Sequence, residues 1–376
     1  MIFDTVDYEF LKLCGISRYI PSGLQKVYDA PFLKRCVIYN LQEHDVIKMQ
    51  SDNKSFKLTK RGRDILADMG YEFPNDARMD LTRTAYKRKL NNAEINIMLH
   101  LANVDIFNSY PTELSDKNGY VSTLIMRSDK NMKVLSCSQF LGILKTGDIV
   151  YIPYYIESKA STILPNFEQE IITSQILCFK NIKSVKLLLI GNSLEELWDI
   201  ISYSGEAPQP GRGRKRIREA LEVMGMEYLL IPKNQEGVYE LAIINNWRYR
   251  EIITKSLNCT MLTEPKLSYC DGMIDDSPCI VGVDMNIQRI IKACKQAKGL
   301  NMTPTVCCLH LQKPVLDKIL KEKITSKVRV AVIGKEGIKK AFPTYKPTRH
   351  EYVTKEGDCI EVPAKQRKEN EEEYKA

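Results

Sequence analysis

No apolar run in the 376 residues approaches the roughly 20 needed for a helix to span a bilayer, so no membrane anchor is expected. Histidine is scarce. His44, His100, His310 and His350 lie far apart, and no local histidine-based metal motif exists. The 11 cysteines form no CxxC and no pair at metal-ligand spacing; Cys307 and Cys308 are simply adjacent. Gly211-Arg212-Gly213 fits neither the Walker nor the dinucleotide phosphate cradle, and no serine sits in a nucleophile elbow. These absences remove the common signatures of nucleotide enzymes, serine hydrolases and zinc proteins, and neither a cofactor nor a metal is expected. An odd cysteine count without a secretory segment fits a reducing, cytoplasmic setting. Cys14, Cys36, Cys178 and Cys294 lie in apolar surroundings, where a free thiol acts as a small hydrophobe. The net charge of +8 agrees with a nucleic-acid partner but does not demand one.

What the chain does have is concentrated at its start. Residues 8–14 read as an apolar first helix, Pro21-Ser22 can open a second through residue 30, and Pro31 opens a third over 31–43. Val46-Ile47-Lys48-Met49-Gln50, a polar tip at 51–54 and Ser55-Phe56-Lys57-Leu58 then predict a hairpin, after which Thr59 caps a closing helix. Three helices, a hairpin and a helix make a winged helix-turn-helix layout over residues 1–70. In the third helix Leu33, Val37 and Leu41 recur at i, i+4, i+8 and should face the core, leaving Lys34, Arg35, Ile38, Tyr39 and Gln42 on the other side. An α-helix fits the major groove, where such side chains reach base edges and phosphates. Residues 54–63 hold five cations (Lys54, Lys57, Lys60, Arg61 and Arg63) and no acid, as backbone phosphates require. A solvated basic face, or a winged helix used for protein contacts, carries the same pattern.

The remaining chain is long enough for one or two further domains. Residues 71–104 read as a linker followed by a long helix over 80–103, with Ala93, Ile97, Leu101 and Val104 as its apolar stripe. Arg83, Lys87, Arg88 and Lys89 form a basic block near its start. A middle α+β domain is expected over 105–204, where Gly147-Asp148 between two β-prone runs signals a hairpin and Ser193 caps a helix after a strand. Two prolines and three glycines in residues 205–213 suggest a boundary, and the basic linker 205–218 offers Arg214, Lys215 and Arg216 as a phosphate clamp. Strands and helices then alternate over 219–345, predicting a mixed or parallel sheet. The charged tail 346–376 is expected to be partly disordered.

Two places echo metal-dependent nucleases, which need clustered carboxylates for Mg²⁺ and a lysine to orient water. One is Asp148 with Glu157-Ser158-Lys159. The other is Asp271, Asp275 and Asp284, where Gly282 stands in the position of the expected acid and Asp284 in that of the lysine. Turn and capping roles explain the same residues.

The layout, with the run Lys57-Leu58-Thr59-Lys60-Arg61-Gly62-Arg63-Asp64-Ile65-Leu66, resembles the replication-relaxation family, winged-helix proteins of plasmids and integrative elements in Gram-positive bacteria. The resemblance implies a nuclease-like α/β region after the winged helix, to which Asp271 and Gly282-Val283-Asp284 would correspond. Gly282 in place of glutamate implies a degenerate domain without working chemistry. A second departure is His44-Asp45 where a glutamate-glycine turn is usual, although Asp enters the left-handed conformation at modest cost. The expected protein is mixed α/β and binds double-stranded DNA of a mobile element, as an accessory to replication or transfer or as a regulator. Its other expected partners are replication or transfer proteins and a second copy of itself. Lys34, Arg35, Tyr39 and Gln42 would address the groove, while Lys54, Lys57, Lys60 and Arg61 hold phosphates. A metal-dependent nuclease and a protein-interaction scaffold are the alternatives.

Overall fold

The computed structural model describes residues 3–71, 73, 84–127, 135, 138–205, 213–262 and 264–345, together with the backbone of 351–353 and 359–361. The expectations placed on Arg83, on most of the 71–79 linker and on residues 362–376 fall outside these. The chain is a mixture of helix and sheet and divides into two compact units, one of residues 1–97 with 345–376 and one of 98–344.

The first unit begins with a short strand β1 (Phe3–Asp4) that runs into helix α1 (Thr5–Ser17). Asp4 and Asp7 form a reciprocal capping box, each carboxylate accepting the other's backbone N–H. Strand β2 (Ile20–Pro21), helix α2 (Arg35–Glu43), the hairpin β3 (Ile47–Met49) and β4 (Ser55–Leu58), and helix α3 (Lys60–Asp68) follow. β2 joins the hairpin by pairing with β4, giving a three-stranded antiparallel sheet in the order β2-β4-β3. Phe10, Leu13 and Cys14 of α1 are fully buried with Val37, Leu41, Phe56 and Leu66 around them, a shared apolar core that stabilises helices too short to persist alone.

Two expectations for this unit need correction. The second helix is only a 3-10 turn, Leu24–Lys26. Pairing of Pro21 with Ser55 and the left-handed Gly23 precede it, and Ala30 is extended before Pro31 as that proline demands. The third helix is broken into a 3-10 turn, Pro31–Leu33, an extended Lys34, and α2. Phe32 and Leu33 are both buried in the 3-10 turn that precedes the break.

Helix α4 (Thr84–Leu101) adds Tyr86 and Glu94 to this unit. The Tyr86 hydroxyl is 2.6 Å from that of Ser55 on β4, and the Tyr28 hydroxyl donates to Glu94 at 2.9 Å. Within the segment expected to be a disordered tail, strands Glu351–Val353 and Cys359–Glu361 form a sheet with β1. Just before them, Tyr345 donates to Glu9 and packs edge-on against Phe32.

Among the described residues the second unit holds a five-stranded sheet, a four-stranded sheet and a two-stranded ladder. Strands β5 (Gly119–Ser122), β6 (Gly142–Thr146) and β7 (Ile149–Tyr155) form an antiparallel meander after the short helix α5 (Thr123–Met126) bridges the first two. The Gly147-Asp148 turn falls between β6 and β7 as expected. Beyond a short strand β8 (Thr162–Ile163) and helix α6 (Pro165–Ile176), β9 (Ser184–Gly191) adds in parallel to β7. Ser193 caps α7 (Leu194–Ser202), accepting from Glu196 N at 3.1 Å. Strand β10 (Lys215–Arg216), helix α8 (Ile217–Met224) and strand β11 (Glu227–Pro232) come next.

β11 pairs in parallel with β9. The five-stranded sheet β11-β9-β7-β6-β5 therefore runs on across the Pro/Gly-rich segment that was expected to mark a domain boundary. Helices α9 (Gln235–Ile244) and α10 (Tyr249–Ser256) lead to strands β12 (Gly272–Ile274) and β13 (Ser277–Val281). Helix α11 (Ile287–Gly299), strand β14 (Thr305–Cys308), helix α12 (Lys313–Lys323), strand β15 (Arg329–Val332) and helix α13 (Lys335–Ala341) complete the unit. β13, β14 and β15 are parallel and β12 is antiparallel at the edge. One hydrophobic core contains Leu187 and Leu230 of the first sheet together with Ile280 and Val306 of the second.

Gly62 gives a direct test of the α3 junction. A Cβ there would lie 2.1 Å from the Val46 carbonyl oxygen, on rigid backbone. In an exposed helix Gly→Ala gains about 1 kcal/mol; here Gly62→Ala should instead destabilise by about 1–3 kcal/mol, seen as a lower urea midpoint.

Candidate nucleic-acid interface

Helix α2 divides as its apolar spacing demands. Val37 and Leu41 are buried, whereas Arg35, Tyr39 and Gln42, at i, i+4 and i+7, share an exposed face. Tyr39 is 57% exposed, so its ring serves no core. Lys34 is exposed too, but it stands at the N-cap in extended conformation, not on the helix. No acid occupies the first turn of α2 or α3, and each opens on cations: Lys34 at the cap and Arg35 at the first position of one, Lys60 and Arg61 in the other. The positive end of a helix dipole disfavours such side chains by a few tenths of a kcal/mol to about 1, while amides and cations together suit an anion.

The hairpin repeats the pattern. Lys48 on β3 is the direct cross-strand partner of Lys57 on β4, an arrangement that costs free energy through like-charge repulsion. Sequence reading passed over Lys48; its alternation with the apolar Ile47 and Met49 was the available signal. Lys54 is exposed at the tip, where its backbone N–H donates to Asp52 at 3.1 Å and its carbonyl accepts from Ser22 N at 2.8 Å. Arg63 turns back to donate to the Leu58 carbonyl at 3.3 Å, which separates it from the exposed Lys60 and Arg61.

Thr59 and Gly62 explain why α3 starts where it does. The Thr59 hydroxyl accepts from Gly62 N at 3.2 Å and donates to the Asp45 carbonyl at 2.6 Å. Asp45 is left-handed at φ 51°, so aspartate does fill the turn position that usually takes glycine.

Arg214, Lys215 and Arg216 belong to the second unit. Lys215 and Arg216 form strand β10, which pairs with β8, so they are ordered by a ladder and not strung along a loose linker. The Arg216 guanidinium lies 5.0 Å and the Lys159 ammonium 5.4 Å from the Tyr203 ring centroid, and Arg216 donates to the Lys159 carbonyl. Lys159, which in the sequence stands out only beside Glu157, is thus a neighbour of this basic cluster.

Neither carboxylate grouping forms a metal cluster among the described residues, although Asp271 and Asp284 meet around Arg250 and Arg289. Asp148 pairs with Lys183 at 2.7 Å, and the seven-residue strand β7 separates it from Glu157 by more than about 20 Å of extended chain. Asp275 occupies the exposed β12–β13 turn with φ 44°. Asp271 instead accepts from Arg289 at 2.8 Å and from Val281 N at 2.7 Å. Asp284, fully buried, accepts from Arg250 at 2.9 Å, from Asn286 N at 3.2 Å and from the Tyr249 hydroxyl. Among the described residues no group of three or more His, Cys, Asp or Glu is arranged to hold a metal.

Across the facing sheet, Tyr151, Lys186 and Glu227 are consecutive partners on β7, β9 and β11. Lys186 pairs with Glu227 at 2.8 Å, and Asn286, the cap of α11, donates to the same carboxylate at 2.9 Å. Burial acts to raise the Asp284 carboxyl, but the Arg289 and Arg250 guanidiniums and the Tyr249 hydroxyl overcome it and hold the group well below the usual carboxylate range. The arrangement is a charge-compensated core and offers no open coordination position.

No protein-family model matches the chain, and no curated protein and no solved structure matches it.

Replacing Asp284 by Asn would leave two guanidiniums to share the Asp271 carboxylate, and loss of one partner of such a network costs about 3–5 kcal/mol. Because the folded carboxyl is depressed, its contribution is complete above the unfolded value near 4 and is lost as pH falls through the lower folded value. Urea unfolding should show the full penalty of Asp284→Asn at pH 7 and a smaller one below about pH 3.

Proposed function

We infer that the chain binds double-stranded DNA with its first unit, used as a winged helix-turn-helix. Its role is that of an accessory or regulator of replication or transfer in a mobile genetic element. The observation that carries the reading is the clustering of cations on this unit: Lys48 opposite Lys57, and Lys34-Arg35 and Lys60-Arg61 at helix starts. An anionic polymer would offset the repulsion among them.

In this reading α2 enters the major groove with Arg35, Tyr39 and Gln42, Lys34 grips at its head, and the hairpin is the wing. Lys48, Lys54, Lys57, Lys60 and Arg61 hold phosphates. Arg214, Lys215 and Arg216 extend the contact from the second unit, which serves as a nuclease-like scaffold. The mobile-element role rests on the family resemblance alone. Nuclease chemistry is not favoured, because Asp271 and Asp284 are neutralised by Arg289 and Arg250.

In gel-shift assays with duplex DNA of its own element, Lys34→Glu with Arg35→Glu should abolish binding. Unchanged binding by that double variant would overturn the assignment, and no binding by the wild type would favour a protein scaffold. The logarithm of affinity should fall against the logarithm of salt with a slope of about −4 for four or five phosphate contacts. Lys48→Gln should reduce that slope by about one.

A further inference from the structure

The second unit contains a cleft of about 480 Å³, within the size range of small-molecule sites. Its position is informative. Leu309 and His310, which follow β14, and Ile333 and Gly334, which follow β15, all line it. It therefore opens at the carboxyl ends of adjacent parallel strands, the end of an α/β sheet at which ligands bind.

Its charge is unbalanced. The Lys335 and Lys339 ammonium groups, one turn apart on α13, lie 5.3 and 5.7 Å from the centroid of the same Tyr239 ring. Glu236 pairs with Lys335 at 3.4 Å, and Lys339 has no acidic partner among the described residues. Two cations gathered on one ring repel each other, and an anion between them would turn that repulsion into binding. The cleft also has an apolar lining: Leu311 and Val332 are 52% and 42% exposed, large side chains left open to water.

We propose that this cleft binds an anion of the mononucleotide class, its phosphate between Lys335 and Lys339 and its planar base against Leu311 and Val332. Recognition is by side chains, which is why no glycine-rich phosphate motif announces it in the sequence. The same chemistry is offered by a free nucleotide and by the 5′-phosphorylated end of a strand.

Calorimetric titration of the full chain with adenosine monophosphate, a 5′-phosphorylated dinucleotide, adenosine and inorganic phosphate tests the site. The phosphorylated base should bind saturably, and adenosine and phosphate alone at least about tenfold more weakly. Whichever of the two phosphorylated probes binds tighter identifies the natural source. Lys339→Glu, and separately Lys339→Gln, should weaken binding about tenfold or more with an unchanged circular dichroism spectrum. Lys34→Glu with Arg35→Glu should leave it unaltered, so failure here is distinct from failure of DNA binding. Absence of saturable binding up to about 1 mM, equal binding of phosphate alone, or wild-type affinity in both Lys339 variants would overturn the proposal.

Discussion

The second unit depends on one buried ionic arrangement. Asp284 lies in the loop after β13, and its two partners come from different helices, Arg250 from α10 and Arg289 from α11. Arg289 also holds Asp271 at the entry to β12, while Asn286, two residues from Asp284, reaches Glu227 on the other sheet. A single connected set of charges thus fixes where the four-stranded sheet sits against the five-stranded one. Packing alone would leave that choice softer, since apolar contacts are nearly indifferent to small slides. A buried ion pair contributes little net stability over a well-packed apolar substitute. Its consequence is that any alternative docking of the sheets would leave guanidiniums and carboxylates buried without partners.

In the first unit the electrostatics are the reverse. There the cations gather toward the surface: Lys48 stands opposite Lys57, and Lys34-Arg35 and Lys60-Arg61 open two helices. Like charges so placed repel one another, and the apolar core around Phe10 and Leu13 holds the unit together beneath them.

The elements with strong local signals were legible in the sequence. Ser193 as a cap, Gly147-Asp148 as a hairpin turn, the stripe Ala93, Ile97, Leu101 and Val104, and the β-prone runs of the second unit all depend on neighbours within a few residues. What could not be read depends on distant partners. The break at Lys34 separates a 3-10 turn, whose Phe32 and Leu33 pack into the core, from α2. The strands at 351–353 and 359–361 are set by β1, more than 300 residues earlier. The Pro/Gly segment at 205–213 has the composition of a boundary, yet beyond it β10 pairs back with β8 and β11 with β9. Glu240 is a further case: in a helical sequence it reads as a solvated acid, but it is fully buried, and that burial pushes its carboxyl well above the usual range.

The run that carries the family resemblance has a structural explanation of its own. Thr59 caps α3 and ties it to the Asp45 carbonyl; Gly62 is required because the Val46 carbonyl approaches its Cα; Leu66 fills the core. These residues specify how a hairpin hands over to a helix, and any protein with that junction would need them whether or not it touched DNA. Lys60 and Arg61, inserted between the cap and the glycine, answer to no such requirement, and neither does Lys48 on the preceding hairpin. The resemblance therefore speaks for the fold of the junction, and the partner must be argued from the residues that the junction does not need.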